Sequence, residues 1–208
     1  MSKIDRWVSV NKQTENKYLN MYELQVQRRN GKVAPYYMAS RVKATENLKG
    51  YSAITEPDGV IIYALHGEKK DKVVLVKQFR YPLNDYVYEL PAGLVEPGED
   101  MYEAGIREIF EETGLKFEPK VVNPAYTKPY FTSTGMTDEC CGTIYGYCSG
   151  IPSNQNQEES EDIEVVLADK EECKRILQEE KVAIKCAYML MHFIHCKEED
   201  PFGFLDEI

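Results

Sequence analysis

Glu108, Glu111 and Glu112 stand at i, i+3 and i+4 in the chain, a spacing that brings three carboxylates together on one side of a helix. In an isolated helix each like-charged pair at that spacing costs about 0.2 to 0.5 kcal/mol, so something cationic is expected to offset the repulsion. A solvated acidic face is the plain alternative, and the flanking residues decide between the two. The 208-residue chain carries 25 Lys and Arg against 35 Asp and Glu, a formal net charge of −10, which repels phosphate backbones and anionic lipid. A general nucleic-acid or membrane-surface binder is therefore disfavoured. A phosphate substrate would need metal cations brought to the site.

The helix that must carry these carboxylates runs from Asp100 to Thr113. Tyr102, Ile106, Ile109 and Phe110 recur at i, i+4, i+7 and i+8 as an amphipathic stripe, and the carboxylates are expected on the face away from Tyr102 and Ile109. Asp100 with Glu103 has the form of a capping box, and Gly114 is a fitting residue just past the end. Before the helix, Glu89 to Glu99 reads as a strand end passing into a tight Gly/Pro loop. Further upstream, the apolar runs Val60 to Leu65 and Lys72 to Phe79 look like central strands buried on both faces. Tyr18 to Gln27 and Lys32 to Val42 alternate loosely about an Asn30-Gly31 turn signal, a hairpin. This hairpin is more polar than the central pair, which suggests a small β subdomain over residues 1–50 and a main domain over 51–208. Downstream, Cys140 to Cys148 and Ile163 to Ala168 read as strands. Lys170 to Glu180 and Ala183 to Cys196 read as helices, the second apolar around much of its circumference and so expected in the core or at a subunit contact.

Gly93, five residues, Glu99, seven residues, then Arg107-Glu108-Ile109-Phe110-Glu111-Glu112-Thr113-Gly114-Leu115 matches the Nudix box, G-x5-E-x7-R-E-U-x-E-E-x-G-U with U aliphatic, at every defined position. From average residue usage a chance match in a chain of this length has a probability on the order of 10⁻⁷. The chain therefore resembles the Nudix hydrolases, which act on nucleoside diphosphates linked to another moiety. The resemblance implies an α/β fold, an α/β/α sandwich with a mixed β-sheet, preceded here by an N-terminal antiparallel β extension. It makes Glu108 and Glu112 the main metal ligands, Glu111 a further one and the Ala92 carbonyl the ligand from the loop. Two or three Mg²⁺ ions, or Mn²⁺, suit such hard oxygen donors. Arg107 and Glu99 are implied to brace the loop against the helix, and Gly93 to allow an approach that a Cβ forbids.

The flanks narrow the branch. Lys77-Gln78-Phe79-Arg80 with Glu89-Leu90-Pro91-Ala92-Gly93 is similar to the ADP-ribose pyrophosphatases, in which an arginine at the Arg80 position reaches the substrate phosphates. Gly135-Met136-Thr137-Asp138-Glu139 resembles the same branch's P-G-x-[ST]-[DE]-E loop, with Thr134 where the proline usually stands, and puts Glu139 among the implied substrate contacts. The acidic loop Glu158 to Glu164 sits where the branch carries a catalytic glutamate. Glu159 or Glu161 is expected to take the proton of the attacking water. The branch also builds its adenine platform partly from the N-terminal extension of a partner subunit, which makes Tyr18, Tyr22, Tyr36, Tyr37 and Arg41 candidates and implies a homodimer with that hairpin exchanged.

The expected reaction is metal-dependent cleavage of ADP-ribose, or a related nucleoside diphosphate sugar, to AMP and a sugar phosphate. Two rivals stay open: a nucleoside triphosphate or GDP-sugar hydrolase using the same box, and a non-catalytic module that senses ADP-ribose. His66, His192 and His195 are given no catalytic role. The six cysteines all lie in the second half without a C-x-x-C pair, which fits reduced thiols in a cytoplasmic protein. The opening residues lack an apolar core behind their charges, and no stretch approaches about 18 uninterrupted apolar residues, so neither a signal peptide nor a membrane span is expected.

Overall fold

The computed structural model describes residues 5–51, 56–158 and 161–206. In chain order its strands and helices are β1 (Trp7–Lys12), β2 (Asn20–Gln27), β3 (Val33–Ser40), β4 (Gly59–His66), β5 (Lys72–Arg80), β6 (Asp85–Glu89), β7 (Ala92–Leu94), α1 (Met101–Thr113), β8 (Lys116–Pro119), α2 (Pro124–Thr127), β9 (Tyr130–Phe131), β10 (Cys140–Ser149), β11 (Ile163–Ala168), α3 (Lys170–Glu179) and α4 (Ile184–His195). They fall into two compact units. The smaller contains Met1–Asp58 with Pro129–Cys141, the larger Gly59–Lys128 with Gly142–Ile208. The smaller unit thus takes in a second segment that a division at residue 50 leaves with the main domain.

In the smaller unit β1, β2 and β3 pair antiparallel in that order. The expected hairpin is β2–β3, and its turn places Gly31 at φ +79°, a left-handed conformation that glycine adopts at no steric cost. Sequence reasoning missed β1, because the stretch WVSVNK leaves every residue half-buried or exposed and carries no clear alternation. Tyr22, Leu24, Met38 and Leu48 form a small core, with Trp7 and Val10 packed on its edge.

In the larger unit the strand order is β11-β5-β4-β10-β8, with β6 on β5 and β7 on β4. Val60, Ile62 and Ala64 of β4 meet Ala104 and Ile109 of α1 in one core cluster. Tyr63, pointing the other way as strand alternation requires, packs edge-on against Tyr145 and Phe202. Two buried faces explain why β4 is a nearly unbroken apolar run. α3 packs against α4 and β11, and α4 against β6.

The α1 termini follow the residue pattern. The Asp100 side chain accepts from the Tyr102 and Glu103 amides, the Glu103 carboxylate accepts from the Asp100 amide, and Gly114 closes the helix in the left-handed region at φ +70°. The buried face differs from the stripe expected. Ile106 and Phe110 are 44% and 50% exposed, whereas Ala104, Gly105, Glu108, Ile109, Glu112 and Thr113 are buried. The cause is the close approach of α1 to the sheet at Gly105, where an added Cβ would lie 2.2 Å from Ile144 Cδ1 and 3.3 Å from Ile62 Cγ1. This contact turns Glu108 and Glu112 toward the sheet rather than away from it. Gly105→Ala is accordingly expected to overpack the core by about 1 to 3 kcal/mol, read as a lowered thermal midpoint.

Helix α4 buries Cys186, Leu190 and Phe193 and leaves Ile184, Tyr188 and Met191 exposed. Among the described residues no helix is long and apolar enough to cross a membrane. All six cysteines are free thiols, with Cys140, Cys148, Cys173 and Cys186 buried.

Candidate active site

The loop before α1 is fastened to the helix by one arginine. Arg107 Nε and Nη2 donate to Glu99 Oε1 and Oε2 at 2.9 and 3.0 Å, and Nη2 also reaches the Leu94 carbonyl at 3.0 Å. Glu99 Oε2 in turn accepts from the Glu96 amide at 3.0 Å. The same guanidinium donates through Nη1 to Glu108 Oε1 at 2.8 Å and to Glu111 Oε2 at 3.0 Å. One cation therefore stands among the carboxylates of Glu99, Glu108 and Glu111, and offsets the repulsion between Glu108 and Glu111 at i, i+3. The Glu99 hydrogen bonds, chiefly, raise the Arg107 pKa, and Arg107 holds the Glu99 carboxyl below its usual range. Arg107→Lys keeps the charge but not the fork; it is expected to lower activity by about 10- to 100-fold, measured as kcat/KM.

Glu108 and Glu112 are only 9% and 3% exposed. Burial pushes the Glu108 carboxyl up, with Arg107 opposing. Glu112 is driven well above the usual carboxylate range, first by burial and then by the charges of Glu108 and Glu161; the Ala92 amide and the Arg80 charge pull the other way. Glu112 Oε2 is buried and accepts no hydrogen bond. An orphaned carboxylate oxygen in a buried setting is costly unless something cationic meets it. The donors gathered here are all oxygens, so the set fits a hard divalent cation. Among the described residues no three His, Cys, Asp or Glu side chains stand as a ready-made metal cage; Glu108 and Glu111 both accept from Arg107.

Gly93 lies directly beside this group. A Cβ there would fall 1.8 Å from both Cδ and Oε1 of Glu108, so only glycine lets the β7 backbone pass so near the carboxylate.

Arg80, at the end of β5, donates through Nε to Glu89 Oε1 at 2.6 Å and through Nη2 to Glu89 Oε2 at 2.9 Å. The sequence reading took Glu89 as part of a motif but gave it no partner. It lies four positions out of register with Arg80, since Arg80 pairs with Asp85 and Val76 with Glu89 across β5–β6, and no local pattern marks such a diagonal pair.

In the acidic loop, Glu161 Oε2 accepts from the Glu158 amide at 3.0 Å, and the Glu161 charge raises both Glu108 and Glu112. Glu159 lies outside the described residues.

The remaining candidates belong to the smaller unit. Arg41 Nε pairs with Glu139 Oε1 at 3.2 Å, and Glu139 Oε2 accepts from the Thr132 hydroxyl at 2.8 Å. Tyr22 does not serve as a platform, because it is wholly buried and its hydroxyl donates to the Val42 carbonyl at 2.5 Å. Tyr18 and Tyr37 are exposed, and the Tyr36 hydroxyl donates to the Gly135 carbonyl at 2.6 Å. The same unit holds a cleft of about 430 Å³ whose walls include Trp7, Tyr36, Met38, Phe131 and Met136. Trp7 and Phe131 carried no signal in the sequence, because their strands are short and their alternation weak.

A family model described as NUDIX domain matches residues 55–185. Putative nudix hydrolase 2 of Caenorhabditis elegans is 40% identical over 119 residues, 54% of this chain and 52% of that protein. This chain thus spans about half the length of that relative. The ADP-ribose pyrophosphatase of Bacillus subtilis (strain 168) is 27% identical over 164 residues, 78% of this chain and 85% of its own. Among solved structures, an ADP compounds hydrolase superposes with a TM-score of 0.61 at 16% identity, covering 86% of each chain, a likeness of fold.

Proposed function

Since the chain belongs to the Nudix family, we propose that it is a divalent-metal-dependent pyrophosphohydrolase that cleaves ADP-ribose, or a closely related nucleoside diphosphate sugar, to AMP and a sugar phosphate. The observation that carries the reading is the buried pair Glu108 and Glu112, with Glu112 Oε2 left without a donor and the Glu108 carboxyl lying against the Gly93 backbone. A structural helix face has no use for such a group. Similarity to the B. subtilis ADP-ribose pyrophosphatase over most of both chains supports the choice of substrate.

Glu108, Glu111, Glu112 and the Ala92 carbonyl would hold two or three Mg²⁺ ions, with Mn²⁺ as the chemical alternative. Bound divalent cations neutralise a diphosphate and lower the pKa of a water near it. Arg80, held in a two-bond fork by Glu89, presents a guanidinium suited to a bidentate phosphate contact. Glu161, whose charge already acts on Glu108 and Glu112, would accept the proton of the attacking water at its carboxylate. Water adds to one phosphorus, the bridging oxygen leaves with the other, and the products are AMP and ribose 5-phosphate. Arg107 and Glu99 keep the loop registered on the helix throughout. The aromatic cleft of the smaller unit is of a size for a nucleobase, and a homodimer would let one subunit lend it to the other. No general nucleic-acid or membrane role is assigned, and a cytoplasmic setting suits six free thiols.

The test is product analysis with purified protein and Mg²⁺. ADP-ribose is expected to yield AMP, GDP-mannose and nucleoside triphosphates to turn over far more slowly, and EDTA to abolish the reaction. Tight ADP-ribose binding without turnover would instead identify a sensing module.

A further inference from the structure

We infer that Gln157 is a positioning residue for the hydrolytic step, the side chain that sets the acidic loop bearing Glu161 against the metal-binding helix. The inference rests on the proposed role of Glu161 as proton acceptor. The Gln157 amide nitrogen donates to the Glu112 carbonyl at 2.7 Å and to the Ile163 carbonyl at 3.2 Å. Each hydrogen of one NH₂ group thus reaches a different element, the last turn of α1 and the first residue of β11.

The last carbonyls of a helix have no partner within it. In α1 the residues just before the acidic loop supply two of the missing donors: the Ser153 amide meets the Thr113 carbonyl at 2.8 Å, and Gln157 meets that of Glu112. Glu112 therefore offers its carboxylate to the proposed metal site and its carbonyl to the loop. The loop's place is registered on the same residue that its glutamate must face. On the far side of Glu161 a second fastening exists. The Tyr86 hydroxyl donates to Asp162 Oδ2 at 2.7 Å, and the Phe79 amide to the Asp162 carbonyl at 3.0 Å. Glu161 lies between these two attachments. Without the Gln157 amide the nearest upstream attachment still tied to α1 is the Ser153 amide on the Thr113 carbonyl, eight residues before Glu161, and a displacement of about 1 Å in a reacting group can cost on the order of 10²-fold in rate.

Gln157→Met keeps the side-chain length and removes both donors; Gln157→Ala removes the side chain as well. Both are expected to lower kcat for ADP-ribose by about 10- to 100-fold, with KM changed less than about twofold because the phosphate and base contacts lie elsewhere. The distinguishing readout is a double-mutant cycle with Glu161→Ala. If Gln157 acts through Glu161, adding Gln157→Met to Glu161→Ala should lower kcat by less than about twofold further. A full additional loss in that background would show a general structural role and overturn the inference. So would wild-type kcat in both single variants of Gln157. Should Glu161→Ala itself retain wild-type turnover, the role of Glu161 fails and the positioning role with it; should Glu161→Ala be crippled while Gln157→Met is not, the inference alone fails. Thermal midpoints of the variants, measured alongside, separate loss of function from loss of fold.

Discussion

Glu112→Gln is expected to lower kcat for ADP-ribose by about 10² to 10³-fold at saturating Mg²⁺, the scale on which removal of one preorganised charge-stabilising group is felt. The substitution is isosteric, so the packing around a residue 3% exposed is preserved. What it removes is the negative charge. The same change should raise the thermal midpoint of the protein in EDTA, because a buried carboxylate with an unpartnered oxygen burdens the folded state, and a neutral amide of the same shape burdens it less. Divalent metal added to the wild type should raise its midpoint toward or beyond that of the variant, and should do less for the variant. A stability gain together with an activity loss is the mark of a site strained for function. Unchanged kcat would contradict the metal role given to this residue.

Gly93→Ala is expected to be nearly as damaging to turnover, about 10²-fold or more, for a different reason. Its new Cβ would fall 1.8 Å from the Glu108 carboxyl, and the contact is with the free end of a flexible side chain. Glu108 can swing aside at little cost in stability, but in doing so it leaves the position from which it would bind metal and accept from Arg107. The expected signature is a thermal midpoint close to wild type with activity largely lost and a weakened response to Mg²⁺. Gly105→Ala makes the informative contrast. There the colliding atoms belong to Ile144 and Ile62 in the packed core, so the effect should appear in stability first. Measuring kcat and midpoint for both variants places each glycine on one side of that distinction.

Much of the framework of the candidate site was legible in the residues because its signals are local. The capping box of Asp100 and Glu103 and the terminating Gly114 are set within one helix, and the Glu99–Arg107 brace spans eight residues. The strands β4 and β5 are long enough, and buried enough, to stand out as apolar runs. Features built from distant segments left no such trace. The buried face of α1 is fixed by contact with Ile62 and Ile144, so Ile106 and Phe110 turned outward despite their periodicity, and two glutamates turned in. β7 and β8 have only three and four residues, too few to display a period. Tyr22 reads as an available aromatic until the small core that encloses it is known. Glu89 and Gln157 are ordinary polar residues in sequence, and only the fold brings one to Arg80 and the other to the end of α1.

The most direct test of the account is a single quantitative assay of ADP-ribose with Mg²⁺, following AMP and ribose 5-phosphate together for the wild type, for Glu112→Gln and for the wild type in EDTA. The account predicts equal amounts of the two products from the wild type, and almost none from the variant or the chelated enzyme. Undiminished product release in EDTA, or from Glu112→Gln, would contradict it.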